Sequence, residues 1–151
     1  MDDSWDEAAV DLYARFRAGQ LTREDMAAQL PPIWRSRERL DPLGSAAAWR
    51  DMVDYAGYFT WRSGTPHGQR ARRPWRRCRL YRGASTENRF GMSWTTNLAV
   101  ARHFADHRQA PGAHGHVWVA TFAPGQLLGY LHDEHEYLVN TTGATIRAWA
   151  T

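Results

Sequence analysis

Arg82 stands beside Gly83 at the end of a short alternating stretch, Leu80-Tyr81-Arg82. Two hydroxyls, Ser93 and Thr95, follow with Trp94 between them, and Glu134 and Glu136 come later, bracketing His135 ahead of an apolar run. A guanidinium keeps its charge and offers a planar fork of donors, so an arginine next to glycine with paired hydroxyls downstream suits a bound phosphodiester better than a core. Residues two apart on a strand share a face, which sends Ser93 and Thr95 to one side and Trp94 to the other, into packing. By the same alternation Glu134 is expected to face the same side as Glu136.

The elements that must hold these groups are readable from periodicity. Ser4 and Glu7 form a capping box for a first helix with Trp5, Ala8, Leu12 and Phe16 on one stripe, stopped at Gly19. A second helix is expected from Thr22, with Asp25 in its first turn and an end at Pro31-Pro32. Residues 35–43 read as a connection. Ser45 then caps a third helix whose stripe is Trp49, Met52, Val53, Ala56 and Phe59. From Leu80 onward strands dominate: 80–82, 117–122, 127–131, 136–139 and 144–149. They are interrupted by a fourth helix capped by Thr96 or Asn97, and the last two are separated by the Asn140–Gly143 turn. Helices first and strands last predict an α+β fold with mainly antiparallel sheets. One domain over 1–151 is expected, with a helical part at 1–62, a basic connection at 63–78 and a β-rich part at 79–151.

Composition narrows the class. Of 151 residues 43% are hydrophobic and 13% aromatic, with eight tryptophans, which excludes a disordered chain. No apolar run is long enough to span a bilayer, the start is acidic where a signal peptide is basic, and Cys78 is the sole cysteine. A cytoplasmic protein, or one delivered into a host or target cytoplasm, is expected, with no membrane partner. All 19 basic residues are arginine, which fits GC-rich codon usage first and selection against lysine modification in a foreign host second, and the net charge is only +3. Any nucleic-acid argument therefore depends on where the arginines sit. Six of them, at 70, 72, 73, 76, 77 and 79, surround Trp75. Arg72, Arg73, Trp75, Arg76 and Arg77 are candidates for holding a nucleic-acid backbone or an acceptor, the ring stacking on a base. The same run also reads as a solvated loop.

Two rival chemistries are weaker. His103 and His107 share a helix face, and His132, Asp133 and His135 offer a third ligand, but Phe104 stands where a zinc protease needs glutamate. No metal is expected. Cys78 lies between Arg77 and Arg79, which would lower a thiol pKa, but no histidine–acid pair accompanies it.

Taken together, Leu80-Tyr-Arg-Gly83, Met92-Ser-Trp-Thr-Thr96 and Glu134-His-Glu136, in that order, resemble the Arg–Ser–Glu class of mono-ADP-ribosyltransferases over residues 79–149. The resemblance implies an ADP-ribosyltransferase-like core that binds NAD as substrate and transfers ADP-ribose to a macromolecular acceptor, protein ahead of nucleic acid, with NAD glycohydrolysis as a side activity. It implies Arg82 at the pyrophosphate and nicotinamide ribose, and Gly83 where the nicotinamide approaches the backbone. Ser93 and Thr95 fall at the ribose and the later glutamate, and Glu136 becomes the catalytic carboxylate. Glu-x-Glu implies transfer to arginine, with Glu134 orienting and deprotonating the acceptor. Ser-Trp-Thr departs from the family's usual Ser-Thr-Ser. A toxin-like effector, a phage-encoded host modifier and a regulatory enzyme all fit. The alternative reading is a non-enzymatic nucleic-acid-binding module using Arg70 to Arg79.

Overall fold

Residues 4–36, 43–109 and 111–149 are described in a computed structural model, which is α+β and divides into two compact units, Met1–Arg72 and Arg73–Thr151. The division falls inside the stretch read as a basic connection. In the first unit, helix α1 (Ser4–Arg17) carries acids in its first turn and arginines in its last, matching the helix dipole. Gly19, at φ 72°, stops it. The capping box expected at Ser4 involves a side chain outside the described residues; Ser4 is the first residue of the helix. Ala9 and Leu12 are fully buried, whereas Trp5, expected on the inner stripe, is exposed.

Helix α2 (Arg23–Ser36) opens on a reciprocal cap: the Asp25 amide donates to the Thr22 hydroxyl (3.1 Å) and the Thr22 amide to the Asp25 carboxylate (3.0 Å). That bond from the Thr22 amide is the main reason the Asp25 carboxyl is held below its ordinary value. The helix then runs through Pro31 and Pro32, contrary to the expected stop. Two prolines remove the amides that would bond the Ala27 and Ala28 carbonyls. The Gly68 amide donates to Ala28 O instead, at 2.9 Å. A Cβ at Gly68 would sit 2.5 Å from Ala27 O and 2.6 Å from Pro31 Cγ, so only glycine fits this approach.

Helix α3 (Ala46–Ala56) has Ser45 as its cap, bonded to the Ala48 amide, and buries Trp49, Met52, Val53 and Ala56 as expected. Phe59, assigned to the same stripe, lies instead on strand β1 (Phe59–Trp61), because Gly57 at φ 73° ends the helix first. Strand β2 (Gln69–Arg70) pairs antiparallel with β1, and Arg70 reaches Glu24 at 3.1 Å.

The second unit holds β3 (Cys78–Ala84), β4 (Ser93–Thr95), α4 (Leu98–His107), β5 (His116–Phe122), β6 (Leu127–Leu131), β7 (Glu136–Val139) and β8 (Arg147–Ala148). Their sheet order is β6-β7-β4-β3-β5-β8, with these neighbours antiparallel. Register places Leu80, Trp94, Ala120 and Phe122 on one face. All four are buried, and the Trp94 and Phe122 rings meet edge to face at 5.1 Å. The strand expected at 144–149 shrinks to two residues, β8, which pairs with β5 and so lies four places from β7 in the sheet. Asn97 is the cap of α4, accepting from the Ala99 and Val100 amides. Helix α4 lies so close to the sheet that a Cβ at Gly83 would overlap Ala101 O and lie 2.5 Å from Ala105 N. One at Gly115 would overlap Ala105 O.

Candidate active site

Ser93 and Glu136, 43 residues apart in sequence, are brought together by the pairing of β4 with β7. The Ser93 hydroxyl donates to Glu136 Oε2 at 2.6 Å. Glu136 is 8% exposed, and the hydroxyl gives its carboxylate a short charge-assisted bond at the margin of the core. Ser93, Thr95 and Glu136 fall on one sheet face by register.

Glu136 is delivered by a turn. His132–Glu134 form one 3-10 turn after β6, and His135 takes a left-handed conformation at φ 51°, uncommon outside glycine, before β7 begins at Glu136. The His135 carbonyl accepts the Thr96 amide (3.2 Å), and its Nδ1 lies 3.2 Å from the Tyr130 hydroxyl. The residue before the carboxylate is thus tied both to the end of β4 and to β6. This corrects the alternation argument for Glu134: it precedes the strand, so the period of two does not relate it to Glu136. The Glu134 side chain lies outside the described residues.

Arg82 sits opposite Trp118, so strict alternation puts it on the face away from Ser93 and Glu136. Its guanidinium nonetheless engages β4 through the backbone, with Nη1 donating to Ser93 O at 2.8 Å and Nε to Asn88 O at 3.0 Å. Residues 85–92 form successive turns whose carbonyls are collected by side chains. Besides Arg82, Trp94 Nε1 takes Gly91 O at 2.8 Å and Thr141 Oγ1 takes Phe90 O at 3.1 Å. A Cβ at Gly91 would displace the Arg82 guanidinium from this position. Nothing in local periodicity marks Asn88, Gly91 and Tyr130, because each acts through a contact with another strand or loop. His135, read from the sequence as a possible third metal ligand, instead ties the turn to β4 and β6.

Thr95 and Gly83 serve helix α4. The buried Thr95 hydroxyl accepts the Asn97 amide at 3.0 Å, shaping the entry to the helix. The absence of a side chain at Gly83 makes room for the helix backbone. Cys78 is corrected too: burial pushes its thiol pKa up, with a Tyr137 hydrogen bond opposing, and Arg77 and Arg79 do not lower it. Of the basic candidates, Arg72 is exposed at the end of the first unit, while Arg73, Trp75, Arg76 and Arg77 are exposed in the second. The His103 and His107 rings lie 5.0 Å apart between centres, tilted by 44°, and among the described residues no three histidine, cysteine or acidic side chains cluster as metal ligands would.

No known protein family, curated protein or solved structure matches the chain. Among the described residues no helix is long and apolar enough to cross a membrane.

Proposed function

We propose that the chain is a mono-ADP-ribosyltransferase of the Arg–Ser–Glu kind, which takes NAD as substrate, transfers ADP-ribose to a macromolecular acceptor and hydrolyses NAD when none is present. The observation that supports this most is the 2.6 Å bond from the Ser93 hydroxyl to the buried Glu136 carboxylate, formed across two strands, with Arg82 on the Ser93 carbonyl.

In this reading the bond from ribose C1′ to nicotinamide breaks with its electron pair going to the pyridinium ring, and positive charge develops on the ribose. Glu136, held in one orientation by Ser93, stabilises that charge. The acceptor nucleophile, or water, then bonds C1′ and loses a proton. Glu134 is assigned to the acceptor's proton on its place in Glu-x-Glu. Arg82, on the other sheet face, is assigned to positioning Ser93 through its carbonyl; its assignment to the phosphates of NAD rests on its place in Tyr-Arg-Gly.

Nicotinamide release from NAD by the purified chain, beside Glu136→Gln, tests the proposal. A fall on the order of a hundredfold or more is expected for loss of one transition-state contact. A wild-type chain that neither releases nicotinamide nor binds NAD overturns it.

A further inference from the structure

Trp75 is 78% exposed, the most open of the large hydrophobic residues described, and the Arg76 guanidinium lies 4.4 Å over its ring. An exposed indole with a guanidinium over its ring is a ready stacking platform. The segment bearing it is fixed at both ends. Arg73 Nε donates to Leu127 O of β6 at 2.8 Å, and β3 begins at Cys78. A second arginine–aromatic group follows directly: Arg79 lies 5.0 Å over Trp149 and 5.9 Å over Tyr81.

The Arg79 side of the sheet continues outward. Arg79 pairs with Thr121 and Val119 with Arg147, so register puts Arg79 and the exposed Arg147 on one side of the sheet, two strand spacings across and two residues along, about 12 Å apart. A shallow cleft lined by Thr121, Gln126, Thr145 and Arg147 lies at this edge. No carboxylate occurs anywhere from residue 55 to 86, and the second unit has nine arginines against five carboxylates. The local field therefore favours a polyanion.

We propose that this surface binds single-stranded nucleic acid, one base stacking on Trp75 and the backbone phosphates meeting Arg76, Arg77, Arg79 and Arg147. A single strand fits better than a duplex because the indole needs an unstacked base face, and arginines spread over a loop and two strands follow a flexible backbone. The inference rests on no step of ADP-ribosyl transfer.

Fluorescence anisotropy with a labelled oligothymidine of about a dozen nucleotides tests it. Four phosphates neutralised on a single strand give a slope near −3 in log K against log salt, so affinity falls about fiftyfold between about 50 and 200 mM. Trp75→Ala is expected to weaken binding about tenfold or more, and Arg76→Ser/Arg77→Ser to flatten the salt slope by about one to two. Both sites are on the surface, so the variants should fold, and their nicotinamide release should match the parent's. Oligothymidine binding unchanged in both variants overturns the inference. So does preference for the matched duplex, or binding to phosphatidylcholine–phosphatidylserine vesicles without binding the oligonucleotide.

Discussion

Gly83→Ala separates two explanations of the same residue. If the glycine exists only so that a ligand can approach the backbone, alanine leaves stability unchanged and removes NAD binding. The structure makes a different demand: the new Cβ would lie 2.5 Å from Ala105 N, where at least 3.0 Å is needed, and it would overlap Ala101 O. These are helix backbone atoms, which cannot rotate aside as a side-chain tip would. Helix α4 must retreat from β3 by at least about half an ångström at one contact and further at the other. Overpacking of this kind costs about 1–3 kcal/mol, and the backbone collision puts it at the upper end. For a chain of this size about 3 kcal/mol lowers the melting temperature by about 6–12 °C. Urea and thermal unfolding followed by circular dichroism measure the loss, and amide exchange shows whether α4 is where protection falls. Gly125→Ala is the control, since nothing lies within 4 Å of the Cβ it would add. A Gly83→Ala variant as stable as the parent, with α4 amides equally protected, refutes the packing argument.

Ser93→Ala removes the hydroxyl bonded to Glu136, and a hydrogen bond to a charged group is worth about 1.5–3 kcal/mol. The kcat for nicotinamide release should fall about ten- to hundredfold with little change in KM for NAD, and an unchanged kcat would remove Ser93 from the mechanism. Gly68→Ala should destabilise by about 2 kcal/mol or more in urea unfolding, since its Cβ meets Ala27 O and Pro31; retained stability would mean α2 passes its prolines without help. Because burial raises the Cys78 pKa, less thiolate exists at any given pH below it. Alkylation of the folded protein near pH 8 should be slower than that of free cysteine and should rise with pH beyond the ordinary thiol range. A rate equal to or above that of free cysteine would contradict the assigned environment.

Much of the architecture is legible from local signals. Ser45 and Asn97 cap helices because a short oxygen-bearing side chain meets an orphan amide three or fewer residues away, a relation contained in a few letters of sequence. The alternation of β5 and the stripe of α3 are equally local. What escapes is whatever depends on a distant partner. Pro31-Pro32 reads as a stop until Gly68, some 36 residues on, supplies the missing donor. The two-residue β8 pairs with β5, which no nearby turn announces. At the candidate site, Ser93 and Glu136 are legible as residue types in order. The period of two fails at His135 because a left-handed histidine separates turn from strand, and histidine carries no sequence mark of that conformation. Arg82 is visible as a charge, but its engagement with the carbonyls of Asn88 and Ser93 follows from a loop path that spacing alone does not give.

Strand β4 is only three residues long, yet it lies between β7 and β3 and so joins the pair β6–β7 to the trio β3, β5 and β8. Mechanically it is a seam, with Thr95 opposite Tyr81 on one side and Ser93 opposite Leu138 on the other. One position pairs β4 with β3 and three pair it with β7, so few ladder bonds hold the seam, which makes it a natural boundary between cooperative units. Ser93 and Glu136 bond across that boundary. A ligand gripped by both therefore acts as a stitch, and its binding should raise amide protection on β7 and β4 together, coupling occupancy of the site to the integrity of the whole sheet.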